Sequence, residues 1–134
     1  MRAVLDANAL VAALLSRSGA PAQLVERWLL GEFELIVSRR LLKEVERTFA
    51  SQKLQRRVAL EDARAFCELL ASLAEYVPDP EAAPSVRSRD PGDDYLIVLA
   101  AAAQATLVTG DAHLLELARR IPVVSPRAFL DGLA

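Results

Sequence analysis

Asp6, Asp93 and Asp111 are the residues best suited to chemistry in this sequence, with Glu44 or Glu46 as a fourth acid. Asp6 and Asp111 each end a short apolar run and precede an apolar helical pattern, so two strand-to-helix units would deliver a carboxylate to one edge of a sheet. Both are equally readable as helix N-caps, a common role for Asp at such boundaries. Asp93 is harder to explain structurally. Leu96, Ile97 and Ala100 follow it at helical spacing and set its carboxylate above a stripe due for burial, and burying an unpaired charge is costly. Asp94, one position on, also precedes apolar residues and stands behind Asp93 as a supporting group. On the helix that follows Ser38, the stripe Leu41, Leu42, Val45 and Phe49 leaves Glu44 and Glu46 on opposite borders. Periodicity does not choose between them.

Clustered carboxylates without cysteine or a group of histidines suit hard cations, Mg²⁺ or Mn²⁺, rather than zinc. A divalent ion among them can bind phosphate oxygens, generate hydroxide from water and stabilise charge on a leaving oxygen, which amounts to phosphodiester hydrolysis. The single histidine, His113, reads as an exposed residue of a helix's first turn, and an acidic metal site needs no imidazole. Basic residues gather nearby: Arg39, Arg40, Lys43 and Arg47 around Glu44, and Arg87 and Arg89 before Asp93. All six could hold phosphates, with Arg39, Arg40 and Lys43 the first candidates, although Arg40, Lys43 and Arg47 also suit the ordinary solvated face of an amphipathic helix.

The elements that must position these groups follow from hydrophobic pattern. Arg2 to Leu5 reads as a buried strand, and Ala9 to Leu15 as a helix after the Asp6-Ala7-Asn8 turn. Pro21 opens a second helix carrying Leu24, Val25, Trp28 and Leu29 and closed by Gly31. The strand FELIVS follows, then Ser38 as N-cap of a helix from Arg39. A helix near Leu60 to Tyr76 shows Leu60, Ala63, Phe66, Leu70 and Leu73 and stops before Pro78 and Pro80. Residues 78–90 read as a surface loop, and Asp90-Pro91 as the start of a nearly all-apolar helix running to about Ala105. A strand at Ala105 to Thr109, a helix near Ala112 to Arg120 and a strand at Val123 to Ser125 complete the pattern. Such alternation implies an α/β fold with a mainly parallel sheet, helices on both faces and right-handed crossovers.

The 134 residues fit one domain, and 53% hydrophobic content, mainly Leu, Ala and Val, supplies one core. No run of about twenty apolar residues is free of charge, which argues against a membrane span. The opening MRAVLDANALVAALL superficially resembles a signal peptide, but Asp6 interrupts the apolar stretch and no small-residue cleavage site follows. The expectation is a cytoplasmic protein. Cys67, the single cysteine, excludes an internal disulfide and a cysteine-based metal cluster. A net charge of −2 gives no global attraction to nucleic acid, so such a partner would be held locally.

Four blocks in order, VLDANALVAALL, VSRRLLKEVERTF, RDPGDDYLIVLAAAAQA and LVTGDAHLLEL, resemble the PIN-domain family over almost the whole chain. That family includes the VapC-like toxin ribonucleases of bacterial toxin–antitoxin pairs. The resemblance implies a three-layer α/β/α fold with Asp6, Glu44, Asp93 and Asp111 as catalytic metal ligands. It selects Glu44 over Glu46 by the Ser38, Leu41, Glu44 spacing, and it makes Asn8, Asp94 and Thr109 supporting residues. Ala7 departs from the threonine frequent at that position but leaves the carboxylate intact. The resemblance further implies RNA as substrate, Mg²⁺ or Mn²⁺ as cofactor, a homodimer, and an antitoxin whose tail occupies the active-site groove.

Two other readings are open. One is a non-catalytic module of the same fold that docks RNA or protein; the other is a structure-specific DNA nuclease, disfavoured because the chain lacks length for helices that clamp a flap. A dehalogenase-type phosphotransferase would want Asp where Asn8 stands, and a phosphoacceptor receiver domain would want a late lysine, whereas none follows Lys53.

Overall fold

Short, mainly apolar segments with β-branched residues form every strand but one, and each strand that positions the candidate acids leads into a capped helix. The computed structural model describes residues 1–133. In chain order the elements begin with β1 (Arg2–Leu5), α1 (Ala7–Leu15), α2 (Ala20–Leu29), β2 (Glu34–Val37) and α3 (Arg39–Phe49). Next come α4 (Gln52–Gln55), α5 (Leu60–Leu73) and β3 (Glu75–Tyr76). A 3₁₀ turn at Pro91–Asp93 leads into α6 (Asp94–Ala103), followed by β4 (Thr106–Val108), α7 (Ala112–Leu115), β5 (Val123–Val124) and α8 (Pro126–Gly132).

The strands form one sheet in the order β3-β2-β1-β4-β5, with every neighbouring pair parallel. β1 lies at the centre, with Ala3 beside Leu35 on one side and Thr106 on the other. Helices cover both faces, giving the three-layer α/β/α arrangement. Burial of the central strands follows: Ala3, Val4, Leu35, Ile36, Leu107 and Val108 are all essentially inaccessible. On one side α1 packs against α2 and α3, and α3 against α5; α6 lies on β1 and β4. Because the chain runs outward from β1 through β2 to β3 and then returns to β4 on β1's other side, the carboxyl ends of β1 and β4 border a topological switch point. Crevices that hold ligands open at such points in parallel sheets.

Several boundaries differ from the sequence expectations. The first helix starts at Ala7, because Asp6 caps it directly. The helix expected to reach Tyr76 ends at Leu73, and Glu75–Tyr76 forms the edge strand β3 beside Ile36 and Val37. Both its side chains are exposed and show no buried face to read, and the strand is held by backbone pairing and by the ion pair of Glu75 with Arg2. Leu60 and Leu73 are each 60% exposed, so the inward stripe of α5 is Ala63, Phe66 and Leu70. The long helix expected after Ala112 is one turn followed by irregular chain. α4 and α8 were not expected. α8 begins with Pro126 after the N-cap Ser125 and buries Phe129 edge-on against Phe33, ring centroids 5.2 Å apart.

Candidate active site

Asp6 is the residue immediately after β1, where the chain must turn from strand to helix, and it is only 6% exposed. Oδ1 accepts the Ala9 N–H at 2.8 Å, capping α1, while Oδ2 accepts the Thr109 hydroxyl. Thr109 follows β4 and is fully buried; its Oγ1 also accepts the Asp111 N–H at 3.0 Å. One threonine therefore joins the ends of the two neighbouring strands and fixes both aspartates. Asp111 caps α7, with Oδ1 accepting the His113 N–H at 2.8 Å. In both aspartates one oxygen caps a helix, and in Asp6 the second oxygen also accepts the Thr109 hydroxyl.

The third and fourth acids come from helices. Ser38, fully buried, caps α3 by accepting the Leu41 N–H at 3.2 Å, which sets the rotation of the helix. Leu41, Val45 and Phe49 then face the core. Glu44 lines the same cleft as Asp6, Asn8, Asp93 and Asp111, whereas Glu46 faces a different hollow between α3 and α5. Asp93 closes the 3₁₀ turn that Asp90 begins and stands half-buried at the entry to α6. The cleft encloses about 260 Å³ and is also lined by Ala7, Arg47, Thr48 and Leu96.

The electrostatics reflect four acids in one place. Burial is the main cause raising the proton affinity of Asp6, partly offset by the Thr109 and Ala9 hydrogen bonds and reinforced by Asp111 and Glu44. Burial also leads for Asp93, pushed up to about 6, with Asp111 next and then Asp90 and Glu44. The Tyr95 hydroxyl donates to Glu44 Oε2 at 2.6 Å, and burial together with that bond raises its pKa.

The other candidates sort by contact. Asn8 is exposed at the rim of the cleft. Asp94 points elsewhere: Oδ1 accepts the Ser88 N–H at 2.8 Å and Oδ2 lies 3.5 Å from Arg87 Nη1. It ties the preceding loop to α6 rather than lining the cleft. His113 is exposed, with Nδ1 3.9 Å from Asp111 Oδ1, and is absent from the cleft wall. Among the basic residues, Arg40 lays its guanidinium over the Tyr95 ring, 4.3 Å from the centroid, and Arg89 pairs with Glu116 at 2.9 Å. Arg39 and Lys43 are exposed one turn apart, and the same stripe continues one turn further to Arg47 at the cleft. For Arg47, the alternative of an ordinary solvated face gives way to a place in the cleft wall. Tyr95 was concealed among apolar neighbours, where an aromatic residue reads as core.

Among the described residues, no three His, Cys, Asp or Glu side chains stand close enough together to hold a metal ion as they are placed. The acids line an open wall instead, and their donor chemistry suits a hard cation that keeps several waters, as Mg²⁺ does. The upward shifts of Asp6 and Asp93 come first from burial and then from neighbouring carboxylates, and a cation would oppose both causes by favouring the charged forms.

Comparison with known proteins adds a family and a fold. The PIN domain family matches residues 2–113, a span that contains all four acids. Curated proteins give no match. Among solved structures, PAE2754 from Pyrobaculum aerophilum superposes with a TM-score of 0.69 at 19% identity, covering 99% of this chain and 98% of that one. VapBC2 from Rickettsia felis, bound to a DNA fragment from its promoter, superposes with a TM-score of 0.63 at 16% identity, covering 93% of this chain and 98% of the chain compared. At those identities the two structures establish the shared fold.

Proposed function

Because this chain belongs to the PIN domain family, a family of nucleases, we propose that it is a Mg²⁺- or Mn²⁺-dependent endoribonuclease and the toxin of a toxin–antitoxin pair. The observation that carries the reading is the convergence of Asp6, Glu44, Asp93 and Asp111 from four separate segments on one cleft at the switch point of the sheet. A structural role asks for no such meeting of like charges, since each adds to the cost of burying the others.

In this reading Asp6, Glu44, Asp93 and Asp111 would hold the cation, whose chemistry when bound would be Lewis-acid activation of the phosphate and of water. Thr109 orients Asp6 and Asp111 through its two hydrogen bonds. Asp93, pushed up to about 6 chiefly by burial, would be favoured in its charged form beside a cation. Arg47 binds a phosphate oxygen beside the acids, Arg39 and Lys43 hold the strand further along α3, and Asn8 meets the sugar–phosphate at the rim. The fold shared with a chain of the VapBC2 complex supports an antitoxin protein as partner. A homodimer, one PIN domain spanning residues 1–134 and action on cytoplasmic RNA complete the proposal. Among the described residues no helix is long and apolar enough to cross a membrane.

The test is cleavage of mixed pools of RNA and of single-stranded DNA by wild type and Asp6→Asn, in Mn²⁺ and in EDTA. Metal-dependent cutting of RNA by wild type alone is expected. Preferential cutting of DNA would overturn the substrate, and tight Mn²⁺ binding with no cutting of any RNA would favour a binding module.

A further inference from the structure

Glu44 differs from the three aspartates in being borne on a flexible side chain with three rotatable bonds, so something must hold its carboxylate if it is to serve a site. The necessary contact comes from α6. Tyr95, 8% exposed, reaches from the first turn of α6 to α3 and donates its hydroxyl to Glu44 Oε2 at 2.6 Å. Among the described residues Glu44 Oε1 has no hydrogen-bond donor, which leaves it available to the cleft that Glu44 lines. The ring itself is held from the same helix: Arg40, one turn before Glu44, places its guanidinium 4.3 Å from the ring centroid. Arg40 is in turn anchored at its backbone, whose N–H donates to Asp79 Oδ2 at 3.0 Å.

Resting on the metal-site reading above, we propose that Tyr95 is a positioning residue that presents Glu44 to the cation, with Arg40 clamping the Tyr95 ring. The hydroxyl occupies one carboxylate oxygen and orients the other, the arrangement by which groups behind a ligand set its geometry. Asp93, two residues before Tyr95, brings its own carboxylate to the same cleft. The entry to α6 therefore supplies one candidate ligand directly and fixes a second through its tyrosine.

The experiment is Mn²⁺ binding, read by electron paramagnetic resonance of the free ion, for wild type, Tyr95→Phe, Glu44→Gln, the double variant and Asp6→Asn. Tyr95→Phe keeps the ring and the Arg40 contact and deletes only the hydroxyl, so in EDTA it is expected to stay folded, with its unfolding temperature lowered only by the loss of one hydrogen bond. Its Mn²⁺ affinity should fall by about 10-fold or more, in the range typical of losing a group that supports a ligand. In the Glu44→Gln background the same substitution should cost nothing further. RNA cleavage by Tyr95→Phe should recover as Mn²⁺ is raised, with KM for RNA unchanged, a pattern that a general loosening of the fold would not produce. Wild-type affinity in Tyr95→Phe, alongside clear weakening in Asp6→Asn, would overturn the positioning role and leave the metal site standing. Absence of Mn²⁺ binding by wild type would overturn both.

Discussion

Asp6 and Asp111 each spend one oxygen on a helix N-terminus, and each is tied to Thr109 through its carboxylate or its backbone. Asp93 and Glu44 lack such caps, and burial with crowding falls most clearly on Asp93. The sign of its effect on stability follows from linkage. Folded Asp93 keeps its proton up to about 6, whereas in the unfolded chain an Asp releases it near about 4. The metal-free fold therefore binds more protons in that window, so this group costs nothing below it and its cost grows as pH rises through it. Asp93→Asn should remove that trend. In EDTA, the variant's unfolding temperature is expected to exceed wild type at pH 7 and to converge with it near pH 4; a gap that stays constant across this range would contradict the assignment. In Mn²⁺ the same variant, like Asp6→Asn, should lose more cleavage activity than the ~10–100-fold typical of removing a supporting residue.

At the scale of elements, α3 carries both a ligand and its register. Ser38→Ala should destabilise the protein by about 1 kcal/mol or more, because it removes a buried cap from that helix. Urea unfolding measures the loss, and cleavage should fall alongside it as Glu44 loses its setting. Glu44→Gln should be severely impaired and Glu46→Gln nearly normal, since only Glu44 lines the acid cleft. The stripe of Arg39, Lys43 and Arg47 makes a graded prediction: Arg47→Ala should raise KM for RNA most, Lys43→Ala less, and Arg40→Ala should act on Mn²⁺ affinity through Tyr95 instead. Equal KM effects at all these positions would point to a diffuse electrostatic attraction rather than a track along the helix.

At the scale of the molecule, the sheet gathers acids from segments far apart in sequence and holds their repulsion in the folded state alone. A cation that binds the fold and not the unfolded chain should therefore stabilise it, by about 2.7 kcal/mol at a hundred times its Kd. Titrating Mn²⁺ into wild type should raise the unfolding temperature progressively. Asp6→Asn should respond weakly, and a wild type indifferent to Mn²⁺ and Mg²⁺ would contradict a metal centre. The flat net charge of −2 fits this picture of a local site better than a broad nucleic-acid surface.

Hydrophobic spacing and capping residues make much of this architecture legible in the amino-acid sequence. β1, β2 and β4, the caps at Asp6, Ser38 and Asp111, and the buried faces of α3 and α6 depend on near neighbours in the chain, so their signals are local. Residue spacing alone left Glu44 and Glu46 on opposite borders of one stripe, and family resemblance separated them. Their division between two hollows is a property of α3 packed between α1 and α5. Tertiary structure alone decided the edge strand β3, the turning of Asp94 toward Ser88, the arrival of Arg47 at the acids and the contact of Tyr95 with Glu44. Each of these pairs a residue with a partner on another element, or settles which neighbour a polar group satisfies. Such choices are made when the sheet assembles and each buried polar group must find a partner, and no pattern within a single helix or strand carries them.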